Sequence, residues 1–237
     1  LEWFQIWSKL LEGGPEFDWD GRFFKLKRLQ TDPVSVQRPR PPVMSAGFSP
    51  RGRDFAARAA DVLFLNVTEL DQVPALLADV AQHMARYDRS IAVYTMAHVV
   101  CRPTRRQAED YFHYFAEEMA DTEGQAYYRR NRGSTVPGAT VLGATVSGAA
   151  ASGAGAPIAR PFENRFTRGT GQQFAGGYPG AYPFVGSPDD IAEEMGRMSA
   201  TGLAGCTVAF VDYLAEIPFF VQEILPRLER LGLRDKA

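Results

Sequence analysis

From residue 42 onward, short continuous apolar runs of strand length alternate with segments in which apolar residues recur at helical spacing. This pattern predicts strands that are each followed by a helix. This alternation is typical of parallel strands joined by crossover helices. The predicted strands cover 43–47, 62–66, 91–101 and 205–211, and the predicted helices cover 50–60, 71–87, 104–120 and 218–231, with a further helix that begins at Pro188.

The start of the chain carries a different pattern. Apolar residues at helical spacing over 1–12 predict an amphipathic helix that Gly13 and Gly14 end. Asp20-Gly21 then separates two aromatic-rich runs, which predicts a β-hairpin. Because the sequence opens inside a helix and without a methionine, we expect an upstream part of the fold to be missing from it.

The segment PVMSAGFSPRGRDFAARAADVLFL, over 42–65, predicts a strand, a turn of small residues, a helix and a second strand. Gly47 allows a close approach of backbone and ligand, Ser49 stands at the helix N-cap, and Pro50 takes the first helical position. Free N–H groups and the helix dipole make such a helix start a binding site for phosphate. The segment therefore predicts a phosphorylated cofactor.

Residues 133–157 contain no charged side chain and consist mostly of small residues. We expect a flexible low-complexity loop over 133–160, while an active-site lid and a sequence artefact are the alternatives. Regular structure resumes where Ser187 caps a helix and Asp189 and Asp190 load its first turn with negative charge.

Composition narrows the function classes. A chain of 237 residues with 45% hydrophobic and 23% charged residues fits one globular domain. A net charge of −2 argues against binding to nucleic acid or to an anionic membrane. The sequence shows no apolar run near the roughly 20 residues that span a bilayer and no leader pattern before the first helix, so we expect a cytoplasmic protein. Cys101 and Cys206 lie in separate apolar runs, which predicts reduced core thiols and no metal site.

The four predicted βα strands are too few to close an eight-stranded barrel but fit its second half. A doubly wound sheet is the alternative, and it would ordinarily carry a GxGxxG signature that the sequence lacks.

Three segments resemble the C-terminal two-thirds of bacterial-luciferase-like flavin monooxygenases, in the branch of pyrimidine, alkanesulfonate and dimethylsulfone monooxygenases. They are FDWDGRFFKL, the SAGxSxxGxxxAAxxAD pattern within 42–65, and YPFVGSPDDIAEEMGRMSATGLAGCTVAFVDYLAEIPFFVQEILPRL. The resemblance implies that residues 1–237 are the C-terminal portion of a single TIM-type (β/α)8 barrel domain. It also implies reduced FMN and O2 as reactants, a small organic substrate, a partner NAD(P)H:flavin reductase and a homo-oligomer.

By the same resemblance, Ser49 matches the flavin-contacting serine of the family, with Ala46 and Gly47 in the turn beneath the flavin phosphate. The alternative for Ser49 is a helix cap alone. His98 matches a histidine near the substrate end of the flavin in the alkanesulfonate branch, where it would position substrate or steer protons. The alternative for His98 is a core residue.

Asp212 and Tyr213 are predicted to end the last strand, at the barrel face where active sites of this fold lie. A helix cap is the alternative for Asp212. Arg168 lies where the family has a mobile loop over the flavin, and its charge would suit an anionic substrate such as a sulfonate, with a solvated surface arginine as the alternative.

Two other functions stay open: a deazaflavin (F420)-dependent oxidoreductase on the same barrel, and a non-catalytic flavin-binding protein. The strands that carry further flavin contacts in the family have no match in this sequence. We therefore expect the isolated 237 residues to be inactive and to bind flavin weakly or not at all.

Overall fold

The computed structural model of the protein describes residues 1–47, 49–124, 127 and 181–235. Its strands are β1 (Phe17–Asp20), β2 (Lys25–Leu29), β3 (Met44–Ser45), β4 (Val62–Phe64), β5 (Ala92–Cys101), β6 (Tyr182–Gly186) and β7 (Gly205–Ala209). Its helices are α1 (Glu2–Glu12), α2 (Pro50–Ala59), α3 (Val73–Ala85), α4 (Arg105–His113), α5 (Pro188–Ala200), α6 (Tyr213–Glu223) and α7 (Leu225–Arg230). A 3₁₀ turn (Leu70–Gln72) precedes α3 and a π-helical turn (Tyr114–Glu118) follows α4.

The predicted hairpin is confirmed as the antiparallel pair β1 and β2. Glu2 of α1 holds its turn in place, because its carboxylate accepts hydrogen bonds from the backbone N–H groups of Phe23 and Phe24 and from the Trp19 indole. The N-terminal helix and the hairpin are therefore one packed unit.

The other five strands form one parallel sheet in the order β3-β4-β5-β6, with β7 also paired to β5. The ten-residue strand β5 pairs with β4 at its start, with β7 in its middle and with β6 at its end. Three segments that are distant in sequence thus meet on one long strand. The carboxyl ends of all five strands point to the same edge of the sheet.

Alternation along β5 separates the two faces of this sheet. Val93, Ala97, Val99 and Cys101 join the main core, which they share with buried side chains of α2, α3, α5, α6 and α7. Tyr94, Met96 and His98 occupy the intervening positions and point away from that core. The face opposite the main core is called the inner face below.

At the amino end of β4, Asp61 joins three segments. Its carboxylate accepts hydrogen bonds from the Arg40 guanidinium at 2.5 Å and from the Val43 N–H at 2.7 Å. The hydrogen bonds from Arg40 and Val43, with a contribution from the charge of Arg89, lower the pKa of Asp61. At this end of the sheet, the Asp61 carboxylate is therefore paired with groups from the segment that leads into β3.

Three differences from the sequence predictions stand out. Strand β6 was not predicted, since Pro183 and Gly186 weaken its strand pattern. The last helix begins at Tyr213 rather than at Pro218, which lies inside α6. The helix predicted over 104–120 ends at His113 and continues as a π-helical turn.

Burial raises the pKa of the Cys101 thiol to about 12 and that of Cys206 to about 11, and both cysteines are free thiols as predicted. Within the described segments, no helix has the length and apolar character needed to cross a bilayer. The low-complexity loop predicted over 133–160 lies outside the described residues.

Candidate functional site

The helix start that follows β3 has the geometry predicted for an anion-binding turn. Ser49 is the N-cap of α2 with extended backbone angles, φ −72° and ψ 158°, and Pro50 is the first helical residue. The Ser49 Oγ accepts a hydrogen bond from the Gly52 N–H at 3.1 Å, which leaves its hydroxyl hydrogen available to a ligand. The first turn of α2 contains no acidic side chain, so its positive dipole end is not neutralised.

Gly47 and Gly52 make this turn compact. A Cβ atom on Gly47 would lie 2.5 Å from the carbonyl of Gly52, and one on Gly52 would lie 2.7 Å from the Gly47 Cα. The chain after β3 and the first turn of α2 therefore touch backbone to backbone. Ala46, the residue before this contact, is exposed at the carboxyl edge of the sheet.

His98 lies on the inner face of β5 and is only 3% exposed. In the strand ladder it stands opposite Ala209 of β7 and Pro183 of β6, so it occupies the place where the three strands meet. The Phe115 ring lies edge-on to the imidazole, with the ring centroids 5.6 Å apart. The structure thus places His98 near the carboxyl edge, within an apolar wall.

Asp212 and Tyr213 do not end the last strand as predicted, because β7 stops at Ala209. Asp212 is the N-cap of α6, and its carboxylate accepts the N–H groups of Leu214 at 3.0 Å and Ala215 at 3.2 Å. The Tyr213 ring packs edge-on against Phe210, with its side chain partly exposed. Both residues lie at the carboxyl edge, but the carboxylate of Asp212 is engaged in capping.

A buried ion pair near these residues was not predicted from the sequence. Arg102, directly after β5, donates to the Glu216 carboxylate at 2.7 Å, and Glu216 is only 7% exposed. The second carboxylate oxygen of Glu216 accepts the N–H groups of Val211 and Asp212. The pair therefore joins the carboxyl ends of β5 and β7.

Tyr111 of α4 completes this junction. The Arg102 guanidinium lies 3.8 Å from the centre of the Tyr111 ring, as a cation–π contact. Burial, and then the negative charge of Glu216, raise the pKa of Tyr111. No sequence signal could have paired Arg102 with a carboxylate 114 positions away.

Asn66 is a second residue that the sequence reasoning missed. It follows β4 at the carboxyl edge, and among the described residues neither its side-chain nitrogen nor its side-chain oxygen has a hydrogen-bond partner, although both atoms are shielded from solvent. The signal that could have found it is an amide residue directly after a short apolar strand.

Arg168, the predicted substrate residue, lies outside the described residues. Among those residues, no group of His, Cys, Asp and Glu side chains could hold a metal ion.

The sequence model of a family described as luciferase-like monooxygenase matches residues 1–205. The chain belongs to this family. Its parallel sheet with flanking helices is accordingly part of a luciferase-like TIM-type barrel, and the predicted resemblance and fold class are confirmed.

Two curated luciferase-like relatives cover nearly the whole chain. The FMNH2-dependent dimethylsulfone monooxygenase of Pseudomonas putida is 25% identical over 98% of this chain and 57% of its own length. The sulfoquinovose monooxygenase of Novosphingobium aromaticivorans is 26% identical over 93% of this chain and 58% of its own length. The chain thus spans little more than half the length of either relative.

Solved luciferase-like structures share the fold. DmoA from Hyphomicrobium sulfonivorans superposes with a TM-score of 0.72 at 20% identity, over 98% of this chain and 55% of its own. The long-chain alkane monooxygenase LadA superposes with a TM-score of 0.66 at 21% identity, over 94% of this chain and 48% of its own.

Proposed function

We propose that the protein carrying this chain is a reduced-FMN-dependent monooxygenase that transfers one oxygen atom from O2 to a small organic substrate. The observation that carries the proposal is the family match over residues 1–205, supported by relatives named as FMNH2-dependent monooxygenases. When bound, reduced FMN would supply the electrons that activate O2. In this proposal, residues 1–237 form one portion of a single barrel domain.

The residues present fit the phosphate of FMN. The Ser49 hydroxyl has a hydrogen to donate, and the N–H of Arg51 has no carbonyl acceptor within the helix because it lies in the first turn. Gly47 and Gly52, whose backbones are in contact, themselves place no side chain over this turn. Together with the dipole of the ten-residue helix α2, these groups would bind a dianion at the carboxyl edge.

His98 would orient the substrate or hold a proton beside it. Its imidazole is buried on the inner face against Phe115, in a wall that would exclude water from the reacting atoms. Tyr213 and Asp212 would lie at the rim, where Asp212 fixes the start of α6. Arg168 would bind the charged group of an anionic substrate such as a sulfonate.

The proposal has four further parts: a small organic substrate, an NAD(P)H:flavin reductase that supplies FMNH2, assembly as a homo-oligomer and a cytoplasmic location. The names of the relatives, which cite dimethylsulfone and sulfoquinovose, support the first, and the FMNH2 dependence named for one of them supports the second. The last two are predictions from the sequence.

The test uses the complete natural polypeptide that contains these residues. Binding of FMN is measured by quenching of flavin fluorescence, and O2 consumption is followed with supplied FMNH2 and a panel of sulfones, sulfonates and pyrimidines. Micromolar FMN binding and substrate-dependent O2 uptake are expected. Turnover with reduced F420 and without O2 would replace this proposal with the deazaflavin oxidoreductase, and an absence of FMN binding would refute the proposal.

A further inference from the structure

The backbone around Asn66 is held in place, although its side chain has no hydrogen-bond partner in the part of the chain that the structure describes. The neighbouring residues Leu65 and Val67 are buried in the main core. The Leu65 N–H donates to the Tyr94 carbonyl at 2.8 Å, and the Val67 N–H donates to the Thr95 Oγ at 3.1 Å. Since both neighbours point into the main core, the side chain of Asn66 projects from the inner face.

The unmet hydrogen bonds of Asn66 point to a ligand. A carboxamide offers two donors and an acceptor, and here the nitrogen and the oxygen are both shielded from solvent without a partner among the described residues. Native proteins rarely leave such groups unpaired, because burial removes their hydrogen bonds to water. The matching partner must bring an acceptor and a donor side by side.

The position of Asn66 relates it to the Ser49 helix start. Strands β3 and β4 are direct neighbours, with Ser45 opposite Leu63, and neighbouring strands lie about 4.8 Å apart. The turn that leads to Ser49 leaves the carboxyl end of β3, and Asn66 follows the carboxyl end of β4. Ser49 and Asn66 therefore both lie at the carboxyl edge of the sheet, at the ends of neighbouring strands.

We propose that Asn66 binds the imide edge of the flavin ring. This assignment rests on the proposed function, since it concerns the same cofactor. The carboxamide nitrogen would donate to a ring carbonyl, and the carboxamide oxygen would accept the ring N3–H. A sulfone or a sulfonate offers acceptors but no donor, so it would leave the Asn66 oxygen unpaired. The flavin imide satisfies both atoms.

The test uses the complete natural polypeptide and compares flavins with and without the phosphate and with and without the ring N3–H. In Asn66→Ala, the Kd for FMN and the Kd for riboflavin are expected to rise by the same factor, about 10-fold to 100-fold for two lost hydrogen bonds. N3-methyl-FMN, which lacks the ring N–H, is expected to bind the unaltered protein about 10-fold more weakly than FMN does. Asn66→Ala is expected to bind N3-methyl-FMN and FMN equally.

Two controls separate this contact from a structural role. Gln72→Ala removes an exposed amide from the 3₁₀ turn after β4 and is expected to leave flavin binding unchanged. Without flavin, Asn66→Ala is expected to unfold at the same temperature as the unaltered protein or at a higher one, since no hydrogen bond is lost. Asn66→Asp, which keeps the size but loses the donor, is the second variant and is expected to weaken the binding of FMN and of riboflavin by the same factor.

The outcomes distinguish the two proposals. If the unaltered protein binds FMN and Asn66→Ala binds it equally well, the assignment of Asn66 is wrong and the monooxygenase proposal stands. A lower unfolding temperature of flavin-free Asn66→Ala would also overturn the assignment, because it would show a structural partner. If the unaltered protein binds no flavin, both proposals fall.

Discussion

Two helices of the parallel unit, α2 and α5, begin with the same dipeptide and yet differ in what their first turns can bind. Ser49-Pro50 and Ser187-Pro188 each follow a strand, and the two serines have nearly the same backbone angles, with φ −72° and −71°. In both, the serine Oγ accepts the N–H three residues later. The residue at that third position is Gly52 in α2 and Asp190 in α5.

Asp190 closes the first turn of α5. Its carboxylate accepts the Ser187 N–H at 2.9 Å and the Ser187 hydroxyl at 2.7 Å, which completes a capping box. Hydrogen bonds from Arg105 and then from Ser187 lower the pKa of Asp190 to about 2, so it is fully charged at neutral pH. An anion would be repelled there.

Gly52 leaves the first turn of α2 open. Without a side chain at this position, the Ser49 hydroxyl keeps its hydrogen for a ligand, and the first turn itself contains no acidic side chain. The comparison teaches that a serine cap marks where a helix begins, while the third residue decides whether an anion is accepted.

The largest effect is expected when α2 receives an aspartate at the position where α5 has Asp190. Gly52→Asp would place a carboxylate beside the proposed phosphate, and two unit charges about 5 Å apart repel by about 3 kcal/mol at an effective dielectric constant of about 20. Gly52→Asn, of equal size and equally close to Gly47, is the neutral control. The Kd for FMN is expected to be at least about 100-fold higher in Gly52→Asp than in Gly52→Asn. Riboflavin, which has no phosphate, should not distinguish them, and equal FMN affinities would refute the phosphate assignment.

The second prediction concerns the backbone contact beneath the open turn. Gly47→Ala would bring a Cβ within 2.5 Å of the Gly52 carbonyl, so α2 must shift. We expect the free energy of unfolding to fall by about 2 kcal/mol, measured by urea denaturation. Gly196→Ala in α5 is the control, since its Cβ would meet nothing closer than 3.7 Å and it should stabilise the helix. Equal stabilities of the two variants would contradict the contact.

The third prediction tests the closed turn. Asp190→Asn is expected to lower the free energy of unfolding at pH 7 by about 1 to 2 kcal/mol. Because the folded pKa of about 2 lies below the ordinary value of 3.8, this stabilisation is complete above about pH 4 and is lost as the pH falls through 2.

Urea denaturation across this pH range measures the difference between the variant and the unaltered protein. Asp189→Asn is the matched control, since the Asp189 side chain is 85% exposed and its pair with Arg227 should contribute less than about 0.5 kcal/mol. A difference for Asp190→Asn that stays constant down to pH 2 would count against the pairing with Arg105.

The smallest effect separates capping from ligand binding. Ser49→Ala and Ser187→Ala should each cost about 1 kcal/mol of stability, because each removes one N-cap. Ser49→Ala alone should raise the Kd for FMN, by about 10-fold, and should leave the Kd for riboflavin unchanged. An equal loss of FMN affinity in Ser187→Ala would show that the two helix starts are not different.

Local signals in the sequence were reliable where a structural feature depends on residues a few positions apart. The hairpin at Asp20-Gly21 and both Ser-Pro helix starts were predicted and are present. The start of α6 was wrong because Pro218 resembles a first helical residue, while the cap is Asp212. Strand β6 was missed because its own residues are weak strand formers, and its pairing with the end of β5 stabilises it.

The sequence by itself determined most of the strands and helices, β6 excepted, and the capping chemistry of the two Ser-Pro helix starts, since capping depends on side chains within four positions. Only the tertiary structure decided which side chains face the inner side of the sheet, where His98 and Asn66 lie. It alone paired Arg102 with Glu216 across 114 positions and left the amide of Asn66 without a hydrogen-bond partner within the described segments. The physical reason is that burial and pairing of a polar group depend on segments that meet only after the sheet has formed.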